Sequence, residues 1–532
     1  MKPSHLLACT ALTAMLGTVA PVMAQERVPS VEILTTTESY DPIRYEGAFI
    51  VAEAWRELGL DVTVRPMEFS TLLDRFYSQQ DFDAAVVGWS GRVDRLDPQF
   101  FLGTLDSRQA VMGANNPGGY ENPEYDALYD AQSREFDIDA RRDIVHEMQE
   151  LYMPDVPTVI LFHRDEVVAY NHTTFTNMNA MAGEGLYSEW VPMEAQPLGD
   201  SQILRIGGPQ EPDNINPLAS TSVWGWKWMR LYYDRLVRLS PEVEPLPWAA
   251  QSVEAVDDVT IDVTLREGMT FHDGEAVTAE DIVFTFNYYM ESEYSYFDAY
   301  LAPLDSVEAT GDLSVRFNLS APSAPFATIT LSQIPILPEH IWSQIDNPEQ
   351  LTPEQIPTVG SGPFAFDRYD RGEFMSLTTN TDHFHADEIA VDGVEFQIFA
   401  DSEGVFTALQ TGQIDMTAWR MEAGQIPLAE TNENVTVVSV PDFGYYHMTF
   451  NLRRAPFDSR EMRRALTMAM DRERMVNVLL DGRGEVGTSV VAPVNAFWHN
   501  PFVERFDYDM DAARQELEDA GYSWDSEGRL VH

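Results

Sequence analysis

The chain has 532 residues, and its 86 acidic side chains against 34 basic ones give a formal net charge of −52. Hydrophobic residues make up 44%, enough for a large core, which excludes disorder over most of the length. A polyanion repels nucleic acid, so non-specific DNA or RNA binding is excluded as its main task. The first 24 residues combine Lys2, an apolar run over 6–19 and the small-residue site Val22-Met23-Ala24, the pattern of an export signal cleaved after Ala24. That signal implies a periplasmic protein. The one cysteine, Cys9, falls inside it. Disulfide scaffolds, thiolate metal sites and cysteine nucleophiles are therefore not expected.

Beyond the signal, residues 31–35 read as a strand, and 48–58 carry apolar residues at helical spacing up to Gly59. Residues 61–64 alternate as a strand, and Ser70 is expected to cap a helix over 71–77. The run 83–88 is continuously apolar, as in a strand buried on both faces. This β-α-β-α-β order indicates an α/β lobe with a largely parallel sheet. The Pro-rich stretch 189–201 reads as a linker, and alternating strands follow at 260–265, 314–319 and 391–399. Lysine occurs only at Lys2 and Lys227. A saline habitat and a GC-rich genome both produce that bias.

From Ile203 onward the sequence resembles the family 5 extracellular solute-binding proteins, the dipeptide and oligopeptide class served by ABC importers. The resemblance runs through Leu204-Arg205-Ile206-Gly207, Asp213-Asn214-Ile215-Asn216-Pro217 and Leu231-Tyr232-Tyr233-Asp234. It is most extended over 264–286, TLREGMTFHDGEAVTAEDIVFTF, where Thr278 is placed to cap a helix. It continues through Gly360-Ser361-Gly362-Pro363-Phe364, Tyr446 to Asn451 and 456–471, PFDSREMRRALTMAMD. The family's remaining segments resemble the other end of this chain: residues 31–35, 62–77, Gly88-Trp89-Ser90-Gly91-Arg92, 120–128 and 156–163. The resemblance thus implies a circularly permuted member. Its fold would be α/β, a two-lobed periplasmic-binding-protein-like (type II, cluster C) architecture with an interlobe cleft. Lobe II would comprise 26–162 and 443–532. Lobe I would comprise 163–442, including a joining linker at 191–203.

The resemblance also implies a function. The protein would capture a peptide or peptide-like solute by lobe closure and deliver it, as a monomer, to a membrane permease and ATPase complex. A sensor on the same fold, or a binder of an oligosaccharide or small anion, remains open. Hinges are expected near 159–168 and 438–446. Arg463 matches a family arginine that can receive a ligand carboxylate; the alternative is a salt bridge at a helix start. Arg92 stands where peptide-binding members place an amine-holding Asp, with Asp94 or Asp97 as substitutes. It would imply a ligand with a second anionic group or one without a free amine, or else pair with Asp94 or Asp97 within its loop. Trp89 and Ser90 are expected at the ligand, as are Thr221, Trp224, Trp419, Tyr445 and Tyr446, the aromatics supplying apolar wall. No cofactor or metal is expected, since His383-Phe384-His385 lacks a third ligand in its pattern. No enzyme is expected either: the chain has no G-x-S-x-G elbow, H-E-x-x-H or phosphate loop.

Overall fold

The computed structural model describes residues 26–91, 95–212, 214–220, 222–292 and 297–532. The export signal and Cys9 lie outside the described residues.

In chain order, the elements that position the site begin with β1 (Val31–Thr36), α1 (Pro42–Glu57), β2 (Val62–Met67) and β3 (Ala84–Trp89). The long β4 (Thr158–Asn171), β5 (Ile203–Gly208), α2 (Val223–Tyr232), β6 (Gly393–Ile398) and α3 (Ser402–Thr411) follow. The last group is β7 (Met416–Thr417), β8 (Val435–Pro441), β9 (Tyr445–Phe450), α4 (Arg460–Met468), α5 (Arg472–Leu479) and β10 (Gly484–Val486). Asp41 starts α1 by accepting from Arg44 N at 3.0 Å, with Pro42 in the first turn where its missing N–H costs nothing. The helix therefore begins a turn and a half before its apolar pattern does. Ser70 is not a cap: a short helix starts at Phe69 and widens into a π turn over Asp74–Ser78. Thr278 does cap its helix, in a reciprocal box with Asp281.

The strands form one 12-stranded sheet with a change of partner along β4. The first residues of β4 pair with β9 (Thr158↔Thr449 to Phe162↔Tyr446), and its later residues with β8 (Asp165↔Pro441 to Asn171↔Val435). On one side of this crossing, β1 runs parallel to β2 and β3, and β3 antiparallel to β9. On the other, β5 runs parallel to β6 and β7. Here lobe II means the β1–β3 side and lobe I the β5–β7 side. Both lobes keep the carboxyl ends of their parallel strands toward the crossing.

The lobe II core mixes residues from both ends of the chain: Val31, Ile33 and Trp55 pack with Phe450, Leu466, Leu517 and Leu530. Trp55 Nε1 donates to Leu466 O at 3.2 Å. At the periphery, Glu26 and His532 exchange both backbone hydrogen bonds, at 3.0 and 2.9 Å, and Val28 N donates to Leu530 O at 3.1 Å. The lobe I core draws mainly on residues between Val168 and Ala418, joined by Leu96 and Phe443.

The stretch read as a linker is structured in its first half. Residues Trp190–Glu194 form a helix whose Trp190, Val191 and Met193 are buried, and Trp190 Nε1 donates to Leu239 O at 2.8 Å. Gln196–Pro197 then pairs with Phe175–Thr176. The exposed connection is confined to 198–201. Proline marked the segment as irregular, yet proline is tolerated in a first helical turn and on a two-residue edge strand.

Candidate functional site

A cavity of about 720 Å³ lies where the carboxyl ends of the parallel strands meet the crossing of β4. Its walls come from both lobes and from the crossing: Ile43 of α1, Arg164 of β4, Phe406 of α3, Trp419 and Arg420 after β7, and Leu479 of α5. This is the position where open α/β sheets bind ligands, and the volume suits a small solute.

On the lobe I side Trp419 is 38% exposed, and its ring lies 5.4 Å from that of buried Trp224, which in turn lies 5.5 Å from Tyr187. Gly208 permits this approach, since a Cβ there would sit 2.9 Å from the Trp224 ring. Half-buried Trp89 ends β3 on the lobe II side. Phe100 stands edge-on to it at 5.3 Å, and the Arg95 guanidinium lies 5.0 Å from its ring centre. Ser90 is exposed, but its carbonyl and hydroxyl accept from Arg95 Nη1 at 2.9 and 3.1 Å.

Charged groups cluster at the crossing in loose pairs. Arg164 stands 3.7 Å from Asp442, Arg420 3.6 Å from Glu166 and Arg44 3.6 Å from Asp41. Tyr446 Oη donates to Asp41 at 3.1 Å and accepts from Arg164 Nη1 at 3.4 Å. Burial pushes the Glu166 carboxyl up, only partly countered by Arg420. Burial, then the neighbouring Arg164 charge, pulls Arg420 below the ordinary arginine value. Around Arg164 burial opposes the charge, but Tyr446 and Asp442 outweigh it and its pKa is raised.

The expected site residues divide. Trp89, Ser90, Trp224, Trp419 and Tyr446 lie around the crossing. Tyr445 is a core residue, packed among Phe101, His163 and His447 at ring distances of 5.0, 5.8 and 5.3 Å. Arg463 does not face the cleft. Its guanidinium is buried and donates to Asp155 O at 3.0 and 2.6 Å, Val156 O at 3.1 Å and Phe457 O at 2.7 Å. Each of its three nitrogens thus donates to a carbonyl of the fold, and the group does not line the cavity. Asp97 is likewise engaged, by Arg141 at 2.7 and 2.6 Å. Arg92, Asp94 and Thr221 lie outside the described residues. Among those described, Arg164, Glu166, Arg420 and Asp442 are site residues that sequence reasoning passed over, although two of them fall in the expected hinge at 159–168.

The model of the bacterial extracellular solute-binding proteins, family 5 (middle region), matches residues 244–531, more than half of the chain. The oligopeptide-binding protein AppA of Bacillus subtilis is 30% identical over 327 residues, covering 60% of this chain and 59% of AppA. The heme-binding protein A of Haemophilus influenzae is 27% identical over 315 residues, covering 54% and 56%. The chain thus spans less than two thirds of these curated relatives. Among solved structures, the ABC transporter substrate-binding protein CtaP of Listeria monocytogenes superposes with a TM-score of 0.51 at 27% identity, over 61% of this chain and 66% of that one. HbpA2 of Haemophilus parasuis, at 21% identity and a TM-score of 0.52 over 60% and 67%, shares the fold. A two-lobed α/β body, a cavity at the strand ends and a family match over most of the second half agree: the chain belongs to the family 5 bacterial extracellular solute-binding proteins.

Proposed function

We propose that the protein is the periplasmic substrate-binding component of an ABC importer, capturing a peptide or peptide-like solute between its lobes and handing it to a membrane permease. The observation that carries this is the cavity at the β4 crossing, walled by both lobes, in a member of this family. Two strands connecting the lobes at one place form a hinge on which closure can bury a ligand. The named relatives AppA and CtaP support the importer role. Native mass spectrometry of the purified protein tests it, with a thermal-shift screen of small peptides alongside. A bound solute, stabilising by about 2.7 kcal/mol at 100-fold excess over its Kd, is the expected result; no ligand in either assay sinks the proposal.

The same reading gives lobe II as 26–162 with 443–532 and lobe I as 163–442, in an order circularly permuted within the family, behind a signal cleaved after Ala24. Three facts support the permutation. One core takes side chains from both chain ends, residues 26–28 lie hydrogen-bonded beside 530–532, and the AppA match covers 60% of this chain. An alignment that respects order can follow only one piece of a permuted chain.

A further inference from the structure

Of the 34 basic residues in this chain, all but Lys2 and Lys227 are arginine. Lys227 lies on α2 with its side chain only 11% exposed. Its Nζ donates to Glu184 Oε2 and to Tyr187 O, both at 2.6 Å, and stands 5.1 Å from the centre of the Tyr187 ring. The Glu184 side chain is equally enclosed. Breaking one side of such a pair strands the other charge, so the contact resists opening. An ammonium is a compact donor and a guanidinium a planar fork, so arginine is no equivalent here.

The pair fastens α2 to a tight turn over 181–185. Within the turn Met181 and Gly185 exchange both backbone hydrogen bonds, at 3.0 and 2.9 Å, and Ala182 N donates to Pro241 O at 3.1 Å. Gly183 and Gly185 take left-handed backbone, with φ of +72° and +63°, which suits residues without a Cβ. Space demands glycine as well: a Cβ on Gly183 would fall 1.7 Å from the Phe443 ring. At Gly185 a Cβ would meet Val168 and Val440 at 3.5 Å and Glu166 at 3.6 Å. The turn therefore rests on both segments that pass between the lobes. It touches β4 at Glu166 and Val168, and the end of β8 and its exit at Val440 and Phe443.

Just beyond the turn both segments change partner. β4 pairs with β10 of lobe II as far as Arg164, and with β8 from Asp165 onward. Phe443 belongs to the lobe I core. The next residue, Gly444, fits against lobe II, where a Cβ would fall 2.3 Å from Gly91 N and 2.4 Å from Trp89 O. The two change-over points are neighbours, since Asp442 N donates to Arg164 O at 2.9 Å.

We propose that the 181–185 turn is a clamp on the hinge, and that Lys227 is the positioning residue that holds the clamp in place. The lobe I ends of both segments are thereby kept rigid, and bending between the lobes is confined to Arg164–Asp165 and Phe443–Gly444. Lobe movement is taken over from the function proposed above; because no ligand enters the test, either can fail alone.

Hydrogen exchange of the unliganded full protein, read peptide by peptide by mass spectrometry, tests the clamp. Lys227→Met and the gentler Glu184→Gln should each speed exchange at least about tenfold over 166–169 and 438–443, while β5 and β9 keep the parent's protection. The double variant should add little to either single change, because both remove the same contact. Lys227→Arg should recover only part of the protection. Small-angle X-ray scattering should show a wider spread of interlobe separations in the single variants than in the parent. Unchanged exchange in both single variants overturns the clamp. A rise of similar size throughout lobe I also overturns it, because the pair is then general support for the core. Faster exchange with unaltered scattering overturns the turn's part in lobe movement, and full protection with arginine overturns the role given to the ammonium.

Discussion

The surroundings of Arg463 and of Arg420 place the same side chain in opposite circumstances. Arg463 sits against the carbonyls of Asp155, Val156 and Phe457, a closed arrangement that joins the segment after residue 152 to the start of α4. Arg420 lines the cavity beside the β4 crossing, with Glu166 3.6 Å away and its buried Nε without a hydrogen bond. The difference teaches that burial alone does not distinguish a guanidinium enclosed by the fold from one that borders a cavity. Nor do unfilled donors, since buried Arg235 and Arg238 also have nitrogens without a hydrogen bond among the described residues; what sets Arg420 apart is its place on the cavity wall.

The hinge histidines should give the largest effect. His163 and His447 lie on β4 and β9, and burial holds their pKa at about 4 and about 3, well below that of an ordinary histidine. The unfolded chain binds these protons first, so stability is full above pH 6.5 and falls as the pH drops toward the folded values. Each histidine loses ~1.4 kcal/mol per pH unit across its window, an upper bound for groups this buried. Urea midpoints should therefore decline steeply between pH 6.5 and 4, and His447→Gln should flatten part of the slope. Flat midpoints would show that these side chains are hydrated.

Next comes the direct contrast. Arg463→Ala strands buried carbonyls and should cost about 3 kcal/mol in urea unfolding. Arg420→Gln should cost less than about 1 kcal/mol, because it removes no hydrogen bond. A reversed order would break the comparison. The Thr278–Asp281 capping box is a smaller gauge within lobe I: Thr278→Ala should lower stability by about 1 kcal/mol. The smallest effect belongs to chain order. Joining residue 532 to residue 26 through a short linker and reopening the chain within 198–201 should shift stability by less than about 1 kcal/mol. Failure of that rejoined protein to fold would count against the permutation.

Much of this fold was legible. The alternation over 260–265 and 314–319 became strands with the same limits, and the apolar run at 83–88 became β3 within one residue. Those patterns report faces, and faces are local. The misplaced cap at Ser70 and the buried helix inside the supposed linker were decided by tertiary packing, which composition does not encode. The site was half legible. Trp224 is expected from motif position and Trp419 from its nearness to the hinge, but that Arg463 is enclosed by carbonyls while Arg420 borders the cavity is decided by segments distant in the chain.

The pairing of residues 26–28 with 530–532 has a consequence in time. A ribosome adding ~5–20 residues per second needs on the order of a minute to separate the synthesis of these two segments. Throughout that interval β1 and β3 exist without β9 and without Leu517 and Leu530 beneath them, while lobe I already has nearly everything it needs. The polypeptide therefore emerges with a built-in delay. Its earliest strands must be kept from pairing with neighbours until the last residues arrive to cover them, so the burden on chaperones is set by the sequence distance between these partners and not by how large the protein is.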